Sequence, residues 1–138
     1  MGLVGSIPPE IRNLSFLISL DLTKNTFGGP IPTPIFNLSF LEILNLGENN
    51  LEPLSPQMGN ITSLFRLSRE FNNFSGNIPK EIGPLSNFGR LSMSGNKFSG
   101  SLPREIGNLT TMFGLFLHSN ALSGMNIFLP SYLQDIFY

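Results

Sequence analysis

The chain has no cysteine in 138 residues. Disulfides, cysteine-ligated zinc and thiol nucleophiles are therefore excluded in any compartment, and several enzyme classes go with them. Charge is also scarce: 12% of residues are Asp, Glu, Lys or Arg, against ~25% in an average soluble domain. Eight basic and nine acidic residues leave a net charge of -1, so neither a nucleic-acid groove nor an anionic membrane surface is implied as a partner. No apolar run approaches the ~18 residues of a membrane span, and the opening MGLVGSIPPE lacks the basic and apolar segments of a signal peptide. Direct membrane insertion by this chain is not expected. The pattern Met1-Gly2-x-x-x-Ser6 has the form of a myristoylation signal, but the same residues fit the repeat described next and are read as part of it. What is abundant is core material: 41% apolar residues, with 13 Phe, in a chain sized for one domain or a short array of repeats.

Internal repetition supplies the architecture. Asn25, Asn49, Asn72, Asn96 and Asn120 recur at intervals of 24, 23, 24 and 24. Each closes a segment of the form L-x-x-L-x-L-x-x-N: LISLDLTKN, LEILNLGEN, LFRLSREFN, FGRLSMSGN and MFGLFLHSN. The central L-x-L puts two apolar side chains on one face of a short strand. Beyond each Asn the chain runs toward F/L-x-G-x-I-P, as in Phe27, Gly29, Ile31 and Pro32, or Phe74, Gly76, Ile78 and Pro79. Glycine and proline there demand a turn. Stretches such as KEIGPLSNF and REIGNLTTM bring the next apolar residues round through a turn too short to stand alone. One such unit cannot bury its own apolar side, but stacked units make a continuous core. The expected fold class is an α/β solenoid with a concave parallel sheet and short 3-10 or helical turns on the convex side. The five asparagines would form a structural ladder, their amides satisfying backbone groups where the strands end.

These residues resemble the plant-type leucine-rich repeat, L-x-x-L-x-L-x-x-N-x-L-x-G-x-I-P, over residues 1 to 124. The resemblance implies a curved right-handed solenoid, most often the extracellular part of plant receptor-like kinases or receptor-like proteins, and sometimes a secreted polygalacturonase inhibitor. It implies a peptide or protein ligand, a co-receptor, no cofactor and no metal. The array begins mid-repeat, with Met1 where the preceding repeat's Asn would stand, and lacks the family's cysteine-paired caps. An internal fragment or truncated product is therefore expected. Register fails after Gly124, so residues 125–138 are expected to form a degenerate last coil or a hydrophobic C-terminal cap, with Leu133 and Ile136 at leucine offsets. Pro53-Leu54-Ser55 stands in place of G-x-I-P in a coil one residue short, which predicts a local kink. Arg69 stands where an inward Leu belongs. Burying it unpaired would cost several kcal/mol, so the expectation is that it reaches solvent or distorts its strand, with Phe71 refilling the space.

The register also places the outward columns of the concave face. One reads Ser19, Ile43, Arg66, Arg90, Gly114; the next Asp21, Asn45, Ser68, Ser92, Phe116; the third Thr23, Gly47, Glu70, Ser94, His118; the last Lys24, Glu48, Phe71, Gly95, Ser119. Arg66 and Arg90 fall on adjacent rungs, a spacing suited to one carboxylate or sulfate, or else they are solvated surface arginines. Phe116 and His118 form a contact pair or pack under the tail. Ser68, Ser92 and Glu70 complete the candidate ligand-binding set. Catalysis is not expected. A Ser/His/Asp triad must use His118, four rungs and roughly 19 Å from Asp21, and Asp21, Glu48 and Glu70 occupy different columns. Sequons at Asn13, Asn37, Asn60, Asn73 and Asn108 mark N-glycosylation candidates, four of them at one outer repeat position. They favour a parent protein at the extracellular face of the plasma membrane or in the apoplast. The leading expectation is a non-catalytic peptide- or protein-binding module; the alternatives are a polygalacturonase-inhibitor-like protein and a truncated fragment that binds nothing.

Overall fold

In the computed structural model, residues 2–53 and 55–123 are described, and they form successive coils of one solenoid. The five L-x-L segments become five parallel strands, Ser19–Asp21, Ile43–Asn45, Arg66–Ser68, Arg90–Ser92 and Gly114–Phe116, hydrogen-bonded in chain order into a single sheet. Leu20, Leu44, Leu67, Leu91 and Leu115 are register partners along its inner side. The last four are fully buried, whereas Leu20, on the first rung, is only half-buried. The convex side carries the 3-10 turns Pro9–Asn13, Thr33–Asn37, Pro56–Asn60, Lys80–Ile82 and Arg104–Asn108. Proline at or just before the start of each one sets its entry. Ile35, Met58, Ile82 and Ile106 point inward from the last four turns to meet the strand leucines.

The asparagine ladder forms as expected, and its bonds show why the residue must be Asn. Asn49 Oδ1 accepts from Phe27 N (3.0 Å), while its Nδ2 donates to Leu46 O (3.2 Å), Gly47 O (3.1 Å) and, one coil back, Leu22 O (2.9 Å). Asn96 repeats this with Phe74 N, Arg69 O, Met93 O and Ser94 O, and Asn25, Asn72 and Asn120 follow the same plan. Each amide closes the bend of its own coil and ties it to the preceding one. An aspartate would lack the donors.

Just before each ladder Asn the chain bends sharply. Lys24, Glu48, Phe71 and Ser119 there have φ of 57°, 54°, 51° and 58°, and Gly95 has 69°. This left-handed geometry suits only the glycine and strains the other four.

Past the ladder the chain pairs again, in short strands on the flank. Val4–Gly5, Thr26–Gly29 and Asn50–Leu51 make one three-stranded sheet; Ser75–Gly76, Lys97–Gly100 and Ala121–Leu122 make another. Among the described residues the two are not joined. The break follows Asn50–Leu51, in the coil that is one residue short and carries Pro53, whose missing N–H removes a donor. The irregularity expected there is thus confined to the flank, because the concave sheet crosses the same coil with its register intact.

Arg69 departs from expectation. It neither reaches solvent nor distorts its strand: its exposure is 0%, and Arg69 N still donates to Ser92 O at 2.8 Å. Nε, Nη1 and Nη2 have no hydrogen-bond partner, and the guanidinium carbon sits 5.1 Å from the centre of the Phe74 ring. Phe71 does not refill the core; it is 58% exposed, turned out by the left-handed bend. Alternation along the strand points Arg69 inward whatever its chemistry, and the neighbouring rungs hold the backbone there. The expected roles of Leu133, Ile136 and the apolar residues of 125–138 lie outside the described residues.

Candidate binding face

Adjacent concave strands lie about 4.8 Å apart, so register decides which side chains can share a ligand. Arg66 and Arg90 are register partners, as are Ser68 and Ser92. Both arginines are half-buried. Arg66 Nε is buried without a hydrogen-bond partner. The Arg90 guanidinium lies 4.6 Å from the centre of the Phe116 ring, a cation–π contact made possible by Gly114: a Cβ there would come within 3.1 Å of Phe116 Cε2 and 3.3 Å of Arg90 Cγ. Neither arginine makes an ion pair among the described residues. Together with Ser68, Glu70 and Ser92 they line a cavity of about 240 Å³ on the concave face. A carboxylate or sulfate reaching it would meet two preorganised positive groups without breaking an existing salt bridge.

The remaining polar residues of the face are mostly paired across rungs. Glu70 Oε1 accepts a hydrogen bond from Ser92 Oγ, one rung on, and Ser92 is buried. Asp21 Oδ1 accepts from Thr23 Oγ1 (2.7 Å) and Thr23 N (2.9 Å), and its Oδ2 from Asn45 Nδ2 (3.1 Å). The Thr23 bonds, and then Asn45, hold the Asp21 carboxyl below the usual carboxylate range. Glu48 lies 3.9 Å from Lys24 Nζ in an exposed pair. Sequence reasoning did not foresee that Ser94 Oγ lies 3.0 Å from His118 Nδ1. This is not a nucleophile and base poised for substrate, because Ser94 is 1% exposed and its oxygen is closed to one. His118 itself is exposed, and Phe116 is half-buried under Arg90. A larger hollow of about 430 Å³, lined by Lys80, Glu81, Pro84, Glu105 and Asn108, lies among the convex turns, with charges of both signs.

Asn13, Asn37, Asn60 and Asn108 each end a 3-10 turn, and all four are exposed, as is Asn73 on the flank. None is on the concave sheet. No helix of the described residues is long and apolar enough to cross a membrane.

The leucine-rich-repeat family profile matches residues 16–38 and 87–109. Among solved structures the chain is similar to the plant peptide hormone receptor RGFR1 in complex with RGF2, at 39% identity and a TM-score of 0.87 over 89% of this chain and 20% of that one. It is likewise similar to the leucine-rich-repeat ectodomain of the Arabidopsis receptor kinase HAESA in complex with an N-terminally extended IDA peptide hormone, at 37% identity and a TM-score of 0.82 over 88% and 20%. A plant ice-binding protein is similar at 30% identity and a TM-score of 0.80, over 87% and 39%, which shows that the fold alone does not set function. The chain spans about a fifth of the length of the two receptor ectodomains. No curated protein matches it.

Proposed function

The chain belongs to the plant-type leucine-rich-repeat family, and on that premise we propose that it is a non-catalytic module whose concave sheet binds a peptide or protein ligand. Arg66 and Arg90 anchor an anionic group of that ligand, a carboxylate or sulfate, with Ser68, Glu70, Phe116 and His118 around them. The observation that carries this reading is the arginine pair itself: two register-matched guanidinium groups that make no ion pair among the described residues, beside a cavity of about 240 Å³ that Glu70 also lines. The similarity to ectodomains solved with peptide hormones supports it. The five exposed sequons, all off the concave sheet, support an extracellular parent protein in which glycans leave the binding face open.

The test is a pull-down from plant apoplastic fluid with the glycosylated, monomeric chain beside an Arg66→Ala/Arg90→Ala double variant. A bound peptide or protein lost from the double variant is the expected result. Capture of the same partners by both proteins would remove the arginines from the site, and a folded wild-type chain that retains nothing would sink the reading.

A further inference from the structure

The cavity that holds the arginine pair also holds a carboxylate that does not pair with it. Glu70 lines the hollow together with Arg66, Arg90, Ser68 and Ser92, yet neither guanidinium comes within 4.0 Å of its oxygens. The cause is a tether. Ser92, which is 2% exposed, donates its hydroxyl to Glu70 Oε1 from the neighbouring rung. The Arg90 guanidinium is drawn away over the Phe116 ring, one rung further on, at 4.6 Å from its centre. Glu70 Oε2 and both guanidinium groups are left without a hydrogen-bond or ion-pair partner among the described residues. In the column of Glu70, Thr23 also lines the cavity, and the position between the two is Gly47, which puts no side chain there; a Cβ would come within 3.3 Å of Glu70 O and 3.7 Å of Thr23 Cγ2. The site is therefore bipolar, with two positive groups and one negative group presented to the same space.

We propose that this cavity takes the C-terminal residue of a peptide that ends in lysine or arginine, its carboxylate meeting Arg66 and Arg90 and its basic side chain meeting Glu70. The proposal rests on the arginine reading above and adds a selectivity to it. A purely anionic group entering the cavity is attracted by the arginines and opposed by Glu70. A group carrying both charges is attracted at both ends, and the cost of drying Glu70 Oε2 is offset by a charge-assisted hydrogen bond. Volume limits the occupant. About 240 Å³ is below the ~300 Å³ at which pockets for whole small molecules begin, so both charges belong to one residue rather than to distant parts of a longer ligand. A terminal basic residue supplies them from a single Cα.

The test titrates the 15N-labelled full chain with Nα-acetyl-L-lysine, Nα-acetyl-L-norleucine and Nα-acetyl-L-lysinamide, following the Gly47, Ser68 and Ser92 amide resonances. The lysine acid is expected to bind at least about tenfold more tightly than either other probe. Glu70→Gln keeps an acceptor for Ser92 Oγ and removes the charge, so it should bring the two acids to within about twofold of each other, chiefly by weakening the lysine acid. Glu70→Asp should keep part of the preference. Retained amide dispersion identifies the variants as folded. Equal or tighter binding of the norleucine acid by the wild type, or a preference unaltered in Glu70→Gln, overturns the role of Glu70 and leaves the arginine reading standing. The lysinamide binding as tightly as the lysine acid, or neither acid binding at all, overturns both.

Discussion

Replacing Arg69 by methionine should make the protein more stable, by an amount that the surroundings of Arg69 allow to be worked out. The guanidinium is wholly buried, has no hydrogen-bond partner, and burial pulls its pKa down to about 9. A fall from above 12 to about 9, at ~1.36 kcal/mol per pH unit, is a charging penalty on the order of 4 to 5 kcal/mol at neutral pH. The Phe74 contact at 5.1 Å is already part of the site and offsets some of this, by about 1 to 2 kcal/mol. Methionine occupies the equivalent position on the next rung as Met93, which is fully buried, and its unbranched stem fills the space of the arginine stem. The expected gain is about 3 kcal/mol, in line with buried charges replaced by packed apolar residues. It should be read from urea unfolding followed by far-ultraviolet circular dichroism, since the chain has no tryptophan to report by fluorescence.

The pH dependence isolates the cause. Between about pH 9 and the unfolded pKa above 12, the unfolded chain holds a proton that the folded chain has released. Wild-type stability therefore gains there relative to the variant, while the full penalty stands below pH 9. The gap between the two proteins should shrink by roughly 2 kcal/mol from pH 7 to pH 10.5. A variant no more stable than wild type at pH 7, or a gap indifferent to pH, would refute the reasoning.

Three further outcomes follow from the same packing. Asn49→Ala strands Phe27 N and three carbonyls, and should lower stability by about 2 to 4 kcal/mol in the same unfolding assay; a loss under 0.5 kcal/mol would count against the ladder. At the left-handed bend, Gly95→Ala meets Phe71 Cδ1 at 2.6 Å with φ at 69° and should destabilise by about 1 to 3 kcal/mol, whereas Ser119→Gly should be neutral or gain up to about 1 kcal/mol; matching signs would show that backbone geometry is not what matters there. Because the Asp21 carboxyl is held below its usual range, its contribution is present above the ordinary carboxylate pKa and lost as pH falls through the lowered one. Asp21→Asn should therefore lose less stability than wild type between pH 6 and pH 3, measured as urea midpoints, and parallel losses would refute it.

The repeat made the register readable in advance: five asparagines in step place the five concave strands, the convex turns and the outward columns, because side-chain direction follows from position alone, whereas the short flanking strands such as Thr26–Gly29 and Lys97–Gly100 fall in the stretch read as a turn from its glycine and proline. It also identified Arg69 as misplaced. What could not be read was how the conflict resolves, since strand pairing on both sides holds the backbone and leaves the charge inside. The ring contact between Phe65 and Phe113, with centroids 5.8 Å apart, was missed because both residues precede the outward strand positions, where alternation gives no guidance. Its signal was a glycine, Gly89, between two aromatic residues in one column. The Glu70–Ser92 and Ser94–His118 bonds depend on cross-rung side-chain geometry that spacing does not specify.

The interruption of the flanking sheet has a mechanical consequence. In a stack where each coil touches only its neighbours, load applied along the axis is borne by the weakest junction. At most junctions the concave and flanking ladders carry it in parallel. Between Asn50–Leu51 and Ser75–Gly76 the flanking ladder is missing among the described residues, which leaves the concave ladder and the Asn72 bonds to Leu51 N and Leu46 O, and the same stretch holds the buried charge of Arg69. Pulled from its ends, the array should part there first, in two blocks, with the arginine pair left intact on the C-terminal one.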